Sequence, residues 1–192
     1  MHTLVLASAS PRRQELLALL QVPFVTEPAN IAEQQAAGES PADYVQRLAS
    51  EKAAAVASNH PKSGVLGSDT IVVAGDTVME KPTDFVHFSS MMQRLSGATH
   101  QVLTAVALHT PVGQWQTLVT TQVTFRNLSS TDIAAYWQTG EPHDKAGGYG
   151  IQGVAGKFVS HISGSYFAVV GLPLYETEQL LQQWQAITDT NQ

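Results

Sequence analysis

The sequence predicts an α/β fold in which helices flank a mixed central sheet. A short apolar run at residues 3–7 leads directly into a helix signal, which is typical of a buried strand followed by a tight turn and a helix. Residues 101–109 and 114–126 alternate between apolar and polar side chains and contain many β-branched residues. Together with the turn at 111–113 between them, they predict a long hairpin. Strands and helices interleave along the chain, as expected for an α/β domain.

Capping residues and periodicity predict the remaining elements. Ser10 is a good N-cap and Pro11 suits the first helical turn, so a helix is expected to begin there. Ser40 opens a capping box, and its helix is expected to run to about residue 58. The other predicted elements are strands at 22–27, 65–73, 158–162 and 166–170, a turn at 76–77, and helices at 84–95, 129–138 and 174–186. Residues 67–69 are expected to interrupt the strand at 65–73.

The bulk properties exclude several classes of protein. The chain has 192 residues, which suits a single domain over residues 1–192 or two small lobes. Its net charge of -6 argues against non-specific nucleic-acid binding, which needs a basic face. The absence of cysteine excludes disulfides and thiolate metal sites and fits a reducing cytoplasm. No apolar stretch approaches the ~18 residues of a membrane span, so a soluble protein is expected.

Four of the ten cations stand at places where a lysine or arginine needs a reason. Arg12 and Arg13 lie in the first turn of a predicted helix, where the helix dipole favours anions, so a bound phosphate would explain them. Lys52 shares an apolar helix face, which is costly unless its charge is paired or faces a cleft. Lys81 lies in a turn and could reach a phosphate. The alternatives are that Arg12 and Arg13 form a pair at the surface, that Lys52 lies at the edge of the apolar helix face, and that Lys81 lies in an ordinary surface turn.

Two other segments carry candidate chemistry. Asp69, in the interrupted strand, could face a cleft and bind a divalent ion or orient a water molecule, although a turn-forming aspartate is the commoner outcome. Residues 144–153 are rich in glycine, which lets the backbone approach a ligand closely, and Gln152 could hydrogen-bond the edge of a base. The alternative for this segment is a flexible loop. With Glu33 on a neighbouring loop, these residues together indicate a phosphate-rich substrate and a metal.

The chain resembles the Maf family of nucleoside triphosphate pyrophosphatases in seven segments that occur in the family's order: SASPRRQELL, EKA at 51–53, GSDTIV, EKP, LSG, DKAGGYGIQG and GSYFAVVGLPL. The resemblance implies a fold similar to that of inosine triphosphatases, with the active cleft between two lobes. It also implies hydrolysis between the α and β phosphates, dependence on Mg²⁺ or Mn²⁺, and often a homodimer. DKAGGYGIQG is similar to the branch that acts on dTTP and UTP, whereas the 7-methyl-GTP branch carries a cysteine there.

The resemblance also implies roles for individual residues. Asp69 matches the family's proposed proton acceptor, and Glu33 matches an acid near the metal, so both are expected to hold the cation. The positions that match phosphate-binding residues are Ser8, Arg12, Arg13, Lys52 and Lys81. The positions that match determinants of base specificity are Arg12, Thr70 and Gln152.

The chain departs from the family pattern at a few positions, and two other functions stay open. Asn30 and Ala32 stand where many members carry acids, and Ala168 replaces a common asparagine, so no role is assigned at these positions. The first alternative is the same reaction on a modified or methylated nucleotide. The second is a nucleotide-sensing or protein-binding module linked to cell division, which would bind nucleotide but turn it over negligibly.

Overall fold

The computed structural model describes residues 3–190, and these form two compact units. The first unit comprises the residues up to Asp69, the segment Thr104–Val119 and the residues from Gly171 onward. The second unit comprises Thr70–Leu103 and Thr120–Val170. The single domain expected over residues 1–192 stays a prediction. No helix in the described part of the chain is long and apolar enough to cross a membrane.

Strands and helices alternate along most of the chain. The strands are β1 (Leu4–Leu6), β2 (Phe24–Thr26), β3 (Gly64–Ala74), β4 (Thr77–Met79), β5 (Thr99–Thr110), β6 (Gly113–Phe125) and β7 (Val159–Ser163). The α-helices are α1 (Pro11–Ala18), α2 (Pro41–Ala57), α3 (Phe85–Leu95), α4 (Ser130–Trp137), α5 (Tyr166–Val170) and α6 (Leu174–Thr190). Short 3₁₀ helices occupy Glu141–Asp144, Ala146–Gly148 and Val154–Phe158.

The sheet is mixed, as the sequence predicts. Its strand order is β2-β1-β3-β5-β6-β7, and β4 pairs with β3. β1 runs parallel to β2 and to β3, whereas β4 is antiparallel to β3 and β7 is antiparallel to β6. The α/β class with a mixed sheet and flanking helices is therefore confirmed.

The first unit is built on the parallel strands. Leu4 of β1 aligns with Phe24 of β2 on one side and with Gly64 of β3 on the other. The side chains of β1 are buried, and so is one face of α2, which includes Val45 and Leu48. β1 is apolar and buried along its whole length, as expected for a central parallel strand, whereas β2 is largely exposed.

The second unit has a core of its own, rich in aromatic rings. Phe88 of α3, Tyr136 of α4 and Phe158 are almost completely buried, and the ring centroids of Tyr136 and Phe158 are 5.4 Å apart. Phe125 of β6 packs edge-on against Tyr149, with ring centroids 4.8 Å apart. Because Tyr149 belongs to the glycine-rich segment 144–153, this core fixes one side chain of that segment.

Two predicted features of the fold are wrong. Residues 166–170 form helix α5 instead of a strand, with the amide of Ala168 donating to Oγ of Ser165. A short apolar run does not distinguish the two periodicities, so the sequence alone could not decide. In addition, β3 continues without a break through residues 67–69, because Gly67 serves close packing on α2 and does not break the strand.

His100 on β5 is a buried titratable side chain of the second unit. Its side chain is buried, Nε2 lies 2.8 Å from the Tyr149 hydroxyl oxygen, and Nδ1 has no hydrogen-bond partner among the described residues. An imidazolium would need partners for two N–H donors, so burial lowers the pKa of His100 to about 4.

We expect the free energy of unfolding to fall as the pH decreases from about 6.5 to about 4, because only the unfolded chain then binds a proton at this position. The decrease should approach about 3 kcal/mol, since each pKa unit corresponds to about 1.4 kcal/mol. Urea unfolding of the wild type and of His100→Gln across this pH range measures the effect. The variant keeps a polar partner for Tyr149 but does not titrate, so an equal pH dependence in both proteins would contradict the prediction.

Candidate active site

Lys52 is the centre of a buried charge cluster in the first unit. Its side chain projects from α2 and is 9% exposed. Nζ lies 2.6 Å from Oδ1 of Asp69 and 2.6 Å from Oε1 of Glu33. A buried ammonium is tolerated when it is paired and hydrogen-bonded, and here it has two carboxylates. The unfavourable apolar position of Lys52 in the sequence is explained by this pairing.

Local packing places Lys52 and Asp69 against each other. Lys52 lies on the buried face of α2, and Asp69 lies in β3, whose Gly67 faces the same helix. A Cβ atom on Gly67 would stand 2.2 Å from the backbone oxygen of Ala49 and 2.7 Å from the backbone nitrogen of Ala53. The missing side chain therefore lets the strand and the helix approach closely enough for the ion pair to form.

Arg13 points inward from the first turn of α1 and belongs to the same cluster. Its Nε donates to the carbonyl of Gly171 at 2.9 Å, and Oγ of the buried Ser68 donates to the same carbonyl at 3.0 Å. Burial lowers the pKa of Arg13, and the negative charges of Asp69 and Glu33 oppose this shift. One carbonyl thus orients a guanidinium and the residue that precedes Asp69.

The loop that carries Glu33 is fastened to α2 by Arg47. The guanidinium makes two hydrogen bonds to the carboxylate of Glu39, at 2.6 and 2.8 Å, and a third to the carbonyl of Gln34 at 2.9 Å. The hydrogen bonds from Arg47 lower the pKa of Glu39 to about 2. A bidentate pair of this kind has a defined geometry, so Arg47 fixes the backbone next to Glu33.

Burial raises the pKa of Asp69, while the charges of Lys52 and Arg13 act in the opposite direction. A carboxylate with a raised pKa is a stronger base, and Oδ1 is already engaged by Lys52. The second oxygen, Oδ2, is therefore the atom of Asp69 that is suited to accept a hydrogen bond or a proton from a water molecule.

The other predicted site residues are distributed over both units. Ser8 follows β1, is buried, and accepts a hydrogen bond from the amide of Ser10 at 3.1 Å. Arg12 is partly exposed, and its charge contributes to lowering the pKa of Arg13. Three of the predicted residues lie in the second unit: Thr70 in β3, Lys81 after β4, and Gln152 in the glycine-rich segment.

Several residues that support the site were missed by sequence reasoning. Ser68 and Gly171 act through a contact between distant parts of the chain, which no local pattern reveals. Arg47 and Glu39 form their pair between a loop and the helix that follows it, and an arginine on a helix surface is common. Gly171 has a positive φ of 130°, which favours glycine, but backbone angles are not visible in a sequence, so this feature gave no signal either.

Residues 3–184 match the family model described as Maf-like protein, so the chain belongs to this family. The resemblance identified in the sequence is thereby confirmed. The chain is 56% identical to the dTTP/UTP pyrophosphatase of Idiomarina loihiensis over 188 residues, which cover 95% of each chain. It is 54% identical to the dTTP/UTP pyrophosphatase of Salmonella typhimurium, over 98% of this chain and 96% of the relative. Among solved structures, the Ham1 protein of Staphylococcus aureus matches 64% of this chain and 71% of its own, at 11% identity and a TM-score of 0.48.

Proposed function

We propose that this protein is a nucleoside triphosphate pyrophosphatase that hydrolyses dTTP and UTP to the monophosphate and pyrophosphate, and so helps to clean nucleotide pools. The observation that carries the proposal is the position of the buried Lys52 between Asp69 and Glu33, with Arg13 in the same cluster. The names of the relatives, at more than half identity over nearly the whole chain, support the same reaction and the same two substrates.

The cations of the cluster suit a triphosphate. Transfer of a phosphoryl group depends mainly on positioning and on stabilising negative charge, and both are tasks of fixed guanidinium and ammonium groups. The carbonyl of Gly171 holds the Arg13 guanidinium through Nε, so its positive charge is fixed next to Asp69 and Glu33. Ser8 is buried in the turn between β1 and α1, and Arg12 precedes Arg13 in the first turn of α1. These two residues and Lys81 are assigned the same phosphate-binding role.

Asp69 is assigned the role of the base. In this proposal its Oδ2 orients the water molecule that attacks the α phosphorus and accepts the proton of that water. Lys52 keeps the carboxylate in place through Oδ1 at 2.6 Å. In the second unit, Thr70 and Gln152 are assigned to recognition of the base, because the amide of Gln152 offers both a donor and an acceptor.

The donor set fits a divalent cation that arrives with its substrate. Glu33 and Asp69 both contact Nζ of Lys52, so their carboxylates lie close together and are the ones that would hold the cation. In the described part of the chain, no group of three or more His, Cys, Asp or Glu side chains could hold a metal by itself. Mg²⁺ commonly binds through one or two carboxylates and takes its other ligands from phosphates and water. When bound, Mg²⁺ or Mn²⁺ would neutralise charge on the triphosphate. The homodimer and the cytoplasmic location expected from the sequence stay predictions.

Pyrophosphate release tests the proposal directly. We expect release from dTTP and UTP that exceeds release from CTP, GTP, ATP and 7-methyl-GTP, that requires Mg²⁺ or Mn²⁺, and that stops in excess chelator. Release from 7-methyl-GTP alone would keep the reaction and refute the assigned substrates. Nucleotide binding without pyrophosphate release in the presence of metal would refute the enzyme and favour a sensing module.

A further inference from the structure

Residues 150–154 form a tight turn in the second unit, here called the 150–154 turn, with Gln152 exposed near its tip. The amide of Gly153 closes the turn by donating to the carbonyl of Gly150 at 3.1 Å. A glutamine at an exposed turn can recognise a ligand selectively only if the backbone that carries it is held in one position. The side chains that hold this backbone therefore determine whether Gln152 can recognise a ligand selectively.

Two side chains hold both ends of the 150–154 turn. The amide of Gly150 donates to the hydroxyl oxygen of Tyr136 at 3.2 Å, and the amide of Val154 donates to Oε2 of Glu141 at 2.9 Å. The Tyr136 hydroxyl in turn donates to Oε1 of Glu141 at 2.7 Å. Burial and this hydrogen bond raise the pKa of Tyr136, so its hydroxyl keeps the proton that it donates.

Gly153 of the turn leaves room for the carboxylate of Glu141. A Cβ atom on Gly153 would lie 2.3 Å from each carboxylate oxygen of Glu141. The φ angle of Gly153 is -102°, which any residue can adopt, so the carboxylate and not the backbone angle excludes a side chain here. Lys145 packs on the same structure, with Nζ donating to the carbonyl of Glu141 at 2.8 Å.

We propose that Tyr136 and Glu141 are positioning residues that fix the 150–154 turn and thereby set Gln152 against the base of the nucleotide. This inference rests on the proposed function and adds two residues that the sequence did not single out. Loosening the turn would weaken binding of the correct base in the ground state and in the transition state alike. Such a loss appears as a higher KM with little change in kcat.

Kinetics of Glu141→Gln and Tyr136→Phe test the inference. Each variant should raise the KM for dTTP and UTP about tenfold, keep kcat within about threefold, and reduce the preference for dTTP over CTP. Glu178→Gln, the same change at an exposed residue of α6, is the matched control and should leave all three quantities unchanged. If Glu141→Gln and Tyr136→Phe behave like the control in an active protein, the inference is wrong.

A double-mutant cycle tests the contact itself. Gly153→Ala should raise KM in the wild-type background. It should cause little further increase in KM in the Glu141→Ala background, because the carboxylate that collides with the new Cβ atom is then absent. An equal effect of Gly153→Ala in both backgrounds would refute the contact. Hydrogen exchange of the Gly150 and Val154 amides, faster in Glu141→Gln than in Glu178→Gln, gives a readout that needs no activity. Absence of dTTP and UTP hydrolysis in the wild type would instead refute the proposed function.

Discussion

Replacing Asp69 with asparagine is expected to lower kcat for dTTP by ~10²–10³, the usual effect of removing one group that acts in the transition state. Asparagine has nearly the same shape, and its amide oxygen can still accept the hydrogen bond from Lys52. The change therefore removes the negative charge and the basic oxygen while it leaves the surrounding packing in place. Because the base acts on the attacking water, KM should change much less than kcat.

The measurement is steady-state pyrophosphate release by Asp69→Asn, with unfolding monitored in the same buffer. Asp76→Asn is the matched control, because Asp76 is an exposed aspartate in the turn between β3 and β4. The control should retain wild-type kcat. Near-normal turnover by Asp69→Asn would show that Asp69 is not the base. If Asp69→Asn does not fold, the same measurement is made on Asp69→Glu.

The sequence identified the centre of the cluster because its charges are locally out of place. Arg13 stands at a helix N-terminus, where the dipole disfavours a cation, and Lys52 stands on an apolar helix face. Asp69 follows a run of buried residues in a strand. Each of these positions is costly unless a partner repays it, and the structure supplies the partners for all three. Charges that violate a local rule are thus visible without coordinates.

The supporting contacts could not be predicted, because their partners are distant in the chain. The carbonyl of Gly171 orients Arg13 and Ser68 across more than a hundred residues of sequence, and nothing local marks a carbonyl as an acceptor. The apolar run at 166–170 fits a strand and a short helix equally well, so its pattern could not predict α5. The sequence marks Gly67 as an interruption of the strand, because the close contact that this glycine makes with another element is not visible in a sequence.

Gly67→Ala is expected to lower both the stability and the activity of the protein. The new Cβ would stand 2.2 Å from the backbone oxygen of Ala49, and backbone atoms cannot turn aside as a side chain can. Either α2 or β3 must shift, at a cost of about 1–3 kcal/mol in the free energy of unfolding. Because α2 carries Lys52 and β3 carries Asp69, the shift also lengthens their 2.6 Å contact, and a displacement of this kind can lower kcat ~10²-fold.

Gly64→Ala separates the two effects, because it makes the same substitution three residues earlier in β3. Its Cβ would stand 2.4 Å from the ring of Trp184 on α6, a helix that carries none of the proposed site residues. Both variants should therefore unfold at lower denaturant concentration than the wild type, but only Gly67→Ala should lose kcat under conditions in which both remain folded. Equal kcat in the two variants would mean that the close approach of α2 to β3 serves stability alone, and that the Lys52–Asp69 distance does not limit the reaction.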